Sequence, residues 1–299
     1  MHSRTTIPLR CSAWRHSRGY SNSMERKRIL TRTLEFWRES GDSHQAAVTL
    51  SYLSDANRGM GLYKEGIKQA EEASGTFERV GDTANQARCL IDLALLLDDD
   101  RQFDVGEEAA SRAIDLLPEN GQQLPVCQGH YVLGKIYTSK GNTEKAIHHF
   151  EVALGIVSSL GEASRAFWIH FHLAKLFSRE GRFDDAHTHV EQAKSHAVHN
   201  TYLLARASLL QARFWYRQCM FEEAKYEASR VLSVFEKLGV TSGVERARKL
   251  LGQIDRNARG NCLATPDELD DDLWWWVPQN NVTCVCVLTS CWDGITEFE

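Results

Sequence analysis

A stripe of small and apolar residues returns along the chain at helical spacing. In GNTEKAIHHFEVAL (141–154), Ala146, Phe150 and Ala153 fall at i, i+4 and i+7 on one helix face, widened by Ile147 and Leu154. The same face recurs as Gly66, Ala70 and Ala73, as Gly106, Ala110 and Ala113, as Ala186, Val190 and Ala193, and as Ala224, Ala228 and Val231. Two small residues and one aromatic on the shared face of 141–154 predict a helix that packs closely on another. Upstream of each lies a second amphipathic stretch: LSYLSDAN, LIDLALLL, YVLGKIYT, FHLAKLFS and LLQARFWY. In these, Ser54, Ala94, Gly134, Ala174 and Ala212 mark equivalent positions at spacings of 40, 40, 40 and 38, and VERARKLLGQID places Gly252 another 40 residues on.

The pattern therefore predicts a repeating unit of helix, short turn, helix and linker. The turns carry Gly before a large apolar residue, as in GLY (61–63) and GRF (181–183). The linkers carry breakers, as in ERVGD (78–82), LPENG (117–121), SLGE (159–162) and KLGV (237–240), with Pro118 and Pro125 flanking one of them. No strand-like alternation precedes residue 280. The segment MERKRILTRTLEFWRESGD (24–42) reads as a second helix without its first. The organisation expected is a disordered basic extension (1–23), a lone helix of a truncated repeat (24–41), and five helix pairs with a C-terminal capping helix (42–257). An acidic tail containing Trp and Cys (258–299) completes it and is expected to be disordered.

Charge narrows the partner. Residues 1–24 hold four arginines and no acid, whereas 260–299 hold eight acids and no Lys or Arg, and the middle is nearly balanced. That balance argues against nucleic acid. No apolar run reaches the ~18 residues of a membrane span. Cys89, Cys127 and Cys219 are widely spaced and read as small core residues of a reducing compartment. Cys284, Cys286 and Cys291 form a C-x-C-x4-C run with no partnering His, a poor zinc pattern. No nucleophile motif, metal set or cofactor motif is present, so the chain reads as non-enzymatic, with no cofactor.

The residues Leu133, Gly134, Tyr137, Ala146, Phe150 and Ala153, with Pro118 closing a unit, resemble the tetratricopeptide repeat. The resemblance covers about residues 25–257 and implies an all-α fold, a TPR-like α-solenoid: a right-handed superhelix of antiparallel helix pairs. The period of 40 departs from the usual 34 residues and is similar to the longer repeats of kinesin light chains. QARCLIDLALLL, FDVGEEAASRAIDLLPE, VCQGHYVLGKIY, KAIHHFEVALGIVSSL and FDDAHTHVEQAKSHA resemble the C-terminal repeats of fungal NACHT/NB-ARC (NLR-like) NTPases. That likeness implies a sensor or scaffold array beside a P-loop domain, but no GxxxxGK[ST] occurs in this chain, so no nucleotide site is carried over.

By the same resemblance the groove positions lie next to the small markers on each first helix. They give Asp55, Asp92, Asp98 and Asp99 with Tyr52 and Ile91 in the N-terminal half, and in the C-terminal half Tyr131 beside the partner-binding candidates. The partner-binding candidates are Lys135, Phe171, His172, Lys175, Arg179, Arg206, Arg213, Tyr216 and Arg217. Cations among aromatics suit a protein or an acidic, extended peptide. The asparagines of the family's carboxylate clamp are not found. The tail offers a ligand of its own: TPDELDDDLWWWVP (265–278) joins an acidic run to Leu273 and Trp274–Trp276 and resembles the acidic-aromatic peptides that bind kinesin light chain repeats. An adaptor whose tail occupies its own groove is the alternative function. His187, His189, His196 and His199 lack HxxxH or HExxH spacing and read as solvated histidines on an outer face. The Arg-rich, acid-free head fits either an extension of a cytoplasmic protein or a mitochondrial presequence.

Overall fold

The computed structural model describes residues 23–117 and 123–257. Among them it contains α-helices and no strand: α1 (Ser23–Ser40), α2 (Ser43–Gly59), α3 (Tyr63–Val80), α4 (Thr83–Asp99), α5 (Phe103–Asp115), α6 (Gln123–Ser139), α7 (Thr143–Leu160), α8 (Ala163–Arg179), α9 (Phe183–His196), α10 (Thr201–Arg217), α11 (Phe221–Leu238) and α12 (Thr241–Asn257). The expectations for Pro118, for residues 1–22 and for the tail from 258 lie outside the described residues.

Local chemistry starts and stops each helix. The side chains of Asp42, Asp82, Asn142 and Asn200 accept from the backbone N–H groups of Gln45, Asn85, Lys145 and Leu203, satisfying donors that helix starts leave open. The turn inside each pair uses a left-handed residue at one register position: Gly61, Arg101, Gly141, Gly181 and Cys219. Arg101 (φ 61°) and Cys219 (φ 59°) pay a steric cost there that glycine avoids. Arg101→Gly is therefore expected to raise stability by roughly 0.5 kcal/mol, the left-handed strain relieved less the extra chain entropy of glycine, as read by urea denaturation. Cys219, expected in the core, instead sits exposed in this turn, because its register position is the turn and not the helix face.

The helices stack as pairs: α2 with α3, α4 with α5, α6 with α7, α8 with α9 and α10 with α11, while α1 packs on α2 and α12 on α11. The small-residue stripes form the seams, with Ala73, Ala110, Ala113, Ala146, Ala153, Ala186, Ala193, Ala224 and Ala228 all at 0% exposure. Of the markers, Ser54, Ala94, Ala174 and Ala212 are fully buried. Gly252 is half-buried, and a Cβ there would lie 3.7 Å from the Arg256 side chain. The first helices α2, α4, α6, α8, α10 and α12 touch one another in succession, and the second helices make no comparable contacts. The first helices are therefore on the tighter, inner side of the curve. At the N-terminal end Leu30 and Leu34 of α1 are buried, and Arg26–Asp55 (3.1 Å), Lys27–Glu65 (2.8 Å) and Arg38–Glu72 (2.6 Å) tie α1 to the next pair. Among the described residues no helix is long and apolar enough to cross a membrane.

Candidate functional site

Three consecutive first helices, α6, α8 and α10, contain no Asp or Glu, and carry Lys135, Arg165, Lys175, Arg179, Arg206, Arg213 and Arg217. The 40-residue repeat sets these residues on adjacent inner helices, so one stretch of the inner face has a single sign of charge. Arg165 is the exception. It is 2% exposed and donates to Glu162 at 2.7 Å, so it braces the start of α8 instead of facing the groove.

The candidates differ in depth. Arg179 is exposed and Lys175 is half-buried. Arg213 is 8% and Arg206 5% exposed. The Arg206 guanidinium lies 4.4 Å from the centre of the Trp168 ring and 5.5 Å from that of Phe171, a stacked cation over aromatic faces. Burial lowers its pKa, against a raising contribution from Tyr202. Arg217 donates through Nη1 to the Ser178 backbone oxygen at 2.6 Å and to its hydroxyl at 2.9 Å, bracketing α10 to α8. Lys135 stands 3.4 Å from Asp98, with both side chains largely covered. Phe171 and Tyr216, expected as contact surface, are 1% and 4% exposed. They form the floor beneath the cations, because an apolar ring on these tightly packed helices is drawn into the seam. Tyr216 also accepts a hydrogen bond from Asn257 at 2.5 Å, which pins the end of α12 beside the groove. His172 packs edge-on against Tyr131 and stacks on Phe150. Burial, then Lys175, Lys135 and Arg206, hold it neutral well below the usual histidine range.

The acidic half is largely satisfied internally. Asp99 pairs with Arg58 at 2.9 Å, Asp98 with Lys135, and Asp55 with Arg26. Asp92 is pushed up to about 7, first by burial and then by the neighbouring Asp55. Ile91 is fully buried and belongs to the core. Arg88 lies over the Tyr52 ring at 5.9 Å. Acidic residues thus gather on the N-terminal first helices and basic ones on the C-terminal first helices.

Sequence reasoning missed Trp168 as the platform for Arg206. It also missed the histidines: His187 and His189 are not solvated on an outer face. His189 is half-buried and bonds His170 at 2.9 Å, and His187 bonds Gln218 at 3.0 Å and packs on Phe214. Their positions on the second helices turn them toward the first helices of their own and the next pair. His196 and His199 are exposed. The recurrence of His130 and His149 at His170 and His189, 40 residues on, was the available signal. Buried Cys89 and Cys127 are pushed up to about 12 by desolvation, so neither is a thiolate nucleophile at neutral pH. Among the described residues no group of His, Cys, Asp or Glu is arranged to hold a metal ion.

No family model matches the sequence. In sequence the chain is 23% identical over 200 residues to the protein KINESIN LIGHT CHAIN-RELATED 1 of Arabidopsis thaliana, an alignment covering 64% of this chain and 32% of that protein. It thus spans about a third of the length of the curated relative it matches. In structure it is similar to BtubC (BKLC) from P. vanneervenii, with a TM-score of 0.55 and 17% identity over 80% of this chain and 93% of that one. It is also similar to a Rap protein complexed with competence and sporulation factor, with a TM-score of 0.54 and 12% identity over 79% of this chain and 74% of the other. These likenesses show the fold: a TPR-like α-solenoid, with repeats similar to those of kinesin light chains.

Proposed function

We propose that the chain is a non-enzymatic interaction scaffold that holds an extended acidic segment of a partner protein along its inner face. The observation that carries this reading is the run α6, α8 and α10, which presents cations and not one carboxylate. Stacked arginine over Trp168 and buried aromatic floor residues supply a partly dehydrated wall, where charge-assisted hydrogen bonds to carboxylates are stronger than at an open surface. A neighbour in fold, the Rap conjugation gene regulator of the plasmid pLS20, is solved in complex with the Phr* peptide, which supports the mode of binding. In a signalling NTPase of the NACHT/NB-ARC kind, such an array would serve as the sensor that presents this groove.

A second reading is favoured by one contact. Asn257, the last residue of α12, is held by Tyr216 at the groove's cationic end, and the acidic Trp-containing segment 265–278 begins a few residues later. In this reading that segment is the groove's resident ligand, and a partner displaces it.

Both readings are tested on the full chain by fluorescence anisotropy with a labelled TPDELDDDLWWWVP peptide and a charge-reversed control. The acidic peptide is expected to bind and to lose at least about tenfold in affinity between ~0.05 M and ~0.5 M salt, as screening shortens the reach of the charges. Equal binding of the charge-reversed peptide would sink the groove reading. A variant carrying Asp270→Lys, Asp271→Lys and Asp272→Lys separates the two. Tighter binding of the added peptide marks the tail as the competitor, and unchanged binding leaves the groove open to other proteins only.

A further inference from the structure

The middle of the array contains a motif written twice. His130 of α6 and His149 of α7 approach Nδ1 to Nδ1 at 3.0 Å. Forty residues on, His170 of α8 and His189 of α9 do the same at 2.9 Å. In each copy the second histidine is sandwiched by an aromatic ring from the first helix: Tyr137 on His149 (centroids 5.3 Å apart, planes at 5°) and Phe177 on His189 (5.2 Å, 12°). In each copy a third histidine adds its ring, His148 against His149 and His196 against His170.

An Nδ1···Nδ1 hydrogen bond needs one ring to donate and the other to accept. It survives only while one of the two Nδ1 atoms lacks a proton. When both are protonated, two like charges face each other about 3 Å apart inside a helix seam, where attraction has become repulsion. The equivalent positions of the preceding pair hold Leu90 and Ala109, and those of the following pair hold Ser208 and Glu227, which hydrogen-bond to each other. The fold therefore requires no histidine at this register, and its double use is a property of these two units.

We propose that the two histidine pairs are an acid-responsive latch: protonation of both partners breaks the Nδ1···Nδ1 bond and loosens the α6–α7 and α8–α9 hairpins, which carry Lys135, His172 and Lys175. The surroundings favour the neutral state at physiological pH. Around the first pair stand His148 and Lys145 on α7, Tyr137 on α6, and Lys140 just after α6. Glu107 of α5, which raises His149 against these neighbours, is taken up by Tyr137 (2.5 Å) and Lys140 (2.6 Å). Around the second stand His196, Asp185 and Gln192 on α9, Arg182 at its N-cap, and Glu151 on α7, with Asp185 itself bonded to Arg182 at 2.7 Å. Burial, followed by the neighbouring histidines, lowers His149 and His170 to about 4, and burial also lowers His130 and His189. The native pair resists protons that the unfolded chain accepts near 6.5. Stability of these hairpins is thus full above about pH 6.5 and is lost as pH falls toward 4.

The latch stands without the groove reading, and its test does not use a ligand. Amide hydrogen exchange of the full chain, corrected for intrinsic rates, is compared at about pH 7.5 and about pH 5. The expected result is a loss of protection in α6–α9 at the lower pH of at least about tenfold more than in α2–α5. The variant His130→Leu, His149→Ala, His170→Leu, His189→Ala transplants the Leu90 and Ala109 solution and should abolish that difference. If it does not fold, His170→Leu with His189→Ala alone should remove the response from α8–α9 and leave it in α6–α7. A loss spread evenly over α2–α9 in the unsubstituted chain, or an equal response in the variants, would overturn the latch.

Discussion

Phe150→Ala is expected to destabilise the array by about 3–5 kcal/mol, and its coupling to Gly134 is expected to change the sign of a second substitution. Phe150 is fully buried at the centre of α7, with Tyr131 and His172 against its ring. A Cβ built on Gly134 would lie 2.7 Å from two atoms of that ring. A buried ring cannot retreat, so Gly134→Ala should cost about 1–3 kcal/mol in the natural chain by overpacking the seam, and Gly134→Leu at least as much. In the Phe150→Ala background the obstruction is gone. Gly134→Ala should there be neutral or stabilising by up to roughly 1 kcal/mol, because alanine favours helix over glycine. Urea denaturation of the four species in this cycle reads both effects, and additive losses would mean the close approach of α6 and α7 is not what glycine serves.

The second large effect is on binding. Lys175→Glu combined with Arg179→Glu reverses two accessible charges on α8 while leaving the buried Arg206 platform in place. Affinity for the acidic peptide should fall at least about tenfold per charge, roughly 1.4 kcal/mol each, with little change in melting temperature. The charge-reversed peptide should gain what the acidic one loses. Unchanged affinity would place the ligand elsewhere on the array.

The fold was legible because its rule is periodic. Residues such as Ala146, Phe150 and Ala153 lie on one face whatever surrounds them, and a 40-residue recurrence converts that face into stacked pairs. The site was legible in kind but not in depth. Lys175 and Arg179 reach solvent, while Phe171 and Tyr216 lie beneath them, although all four were assigned by the same register argument. Register places a residue on a side of a helix, but the partner helix's side chains decide whether that side is covered. Cys219 shows the converse: a residue taken as core is a left-handed turn residue, because one repeat is shortened to 38 and its turn lacks the glycine found in its neighbours.

The sequence by itself determined the helical units, their order and the sign of charge along each first helix, since all three depend on spacing within about 20 neighbouring residues and on side-chain type. Only the tertiary structure decided which charges neutralise one another, as Asp98 with Lys135 and Asp99 with Arg58 do across successive repeats. It alone decided that His130 meets His149 and His170 meets His189. These contacts depend on how closely two helices approach and at what angle, and small residues in the seams set that approach through packing that no single helix contains.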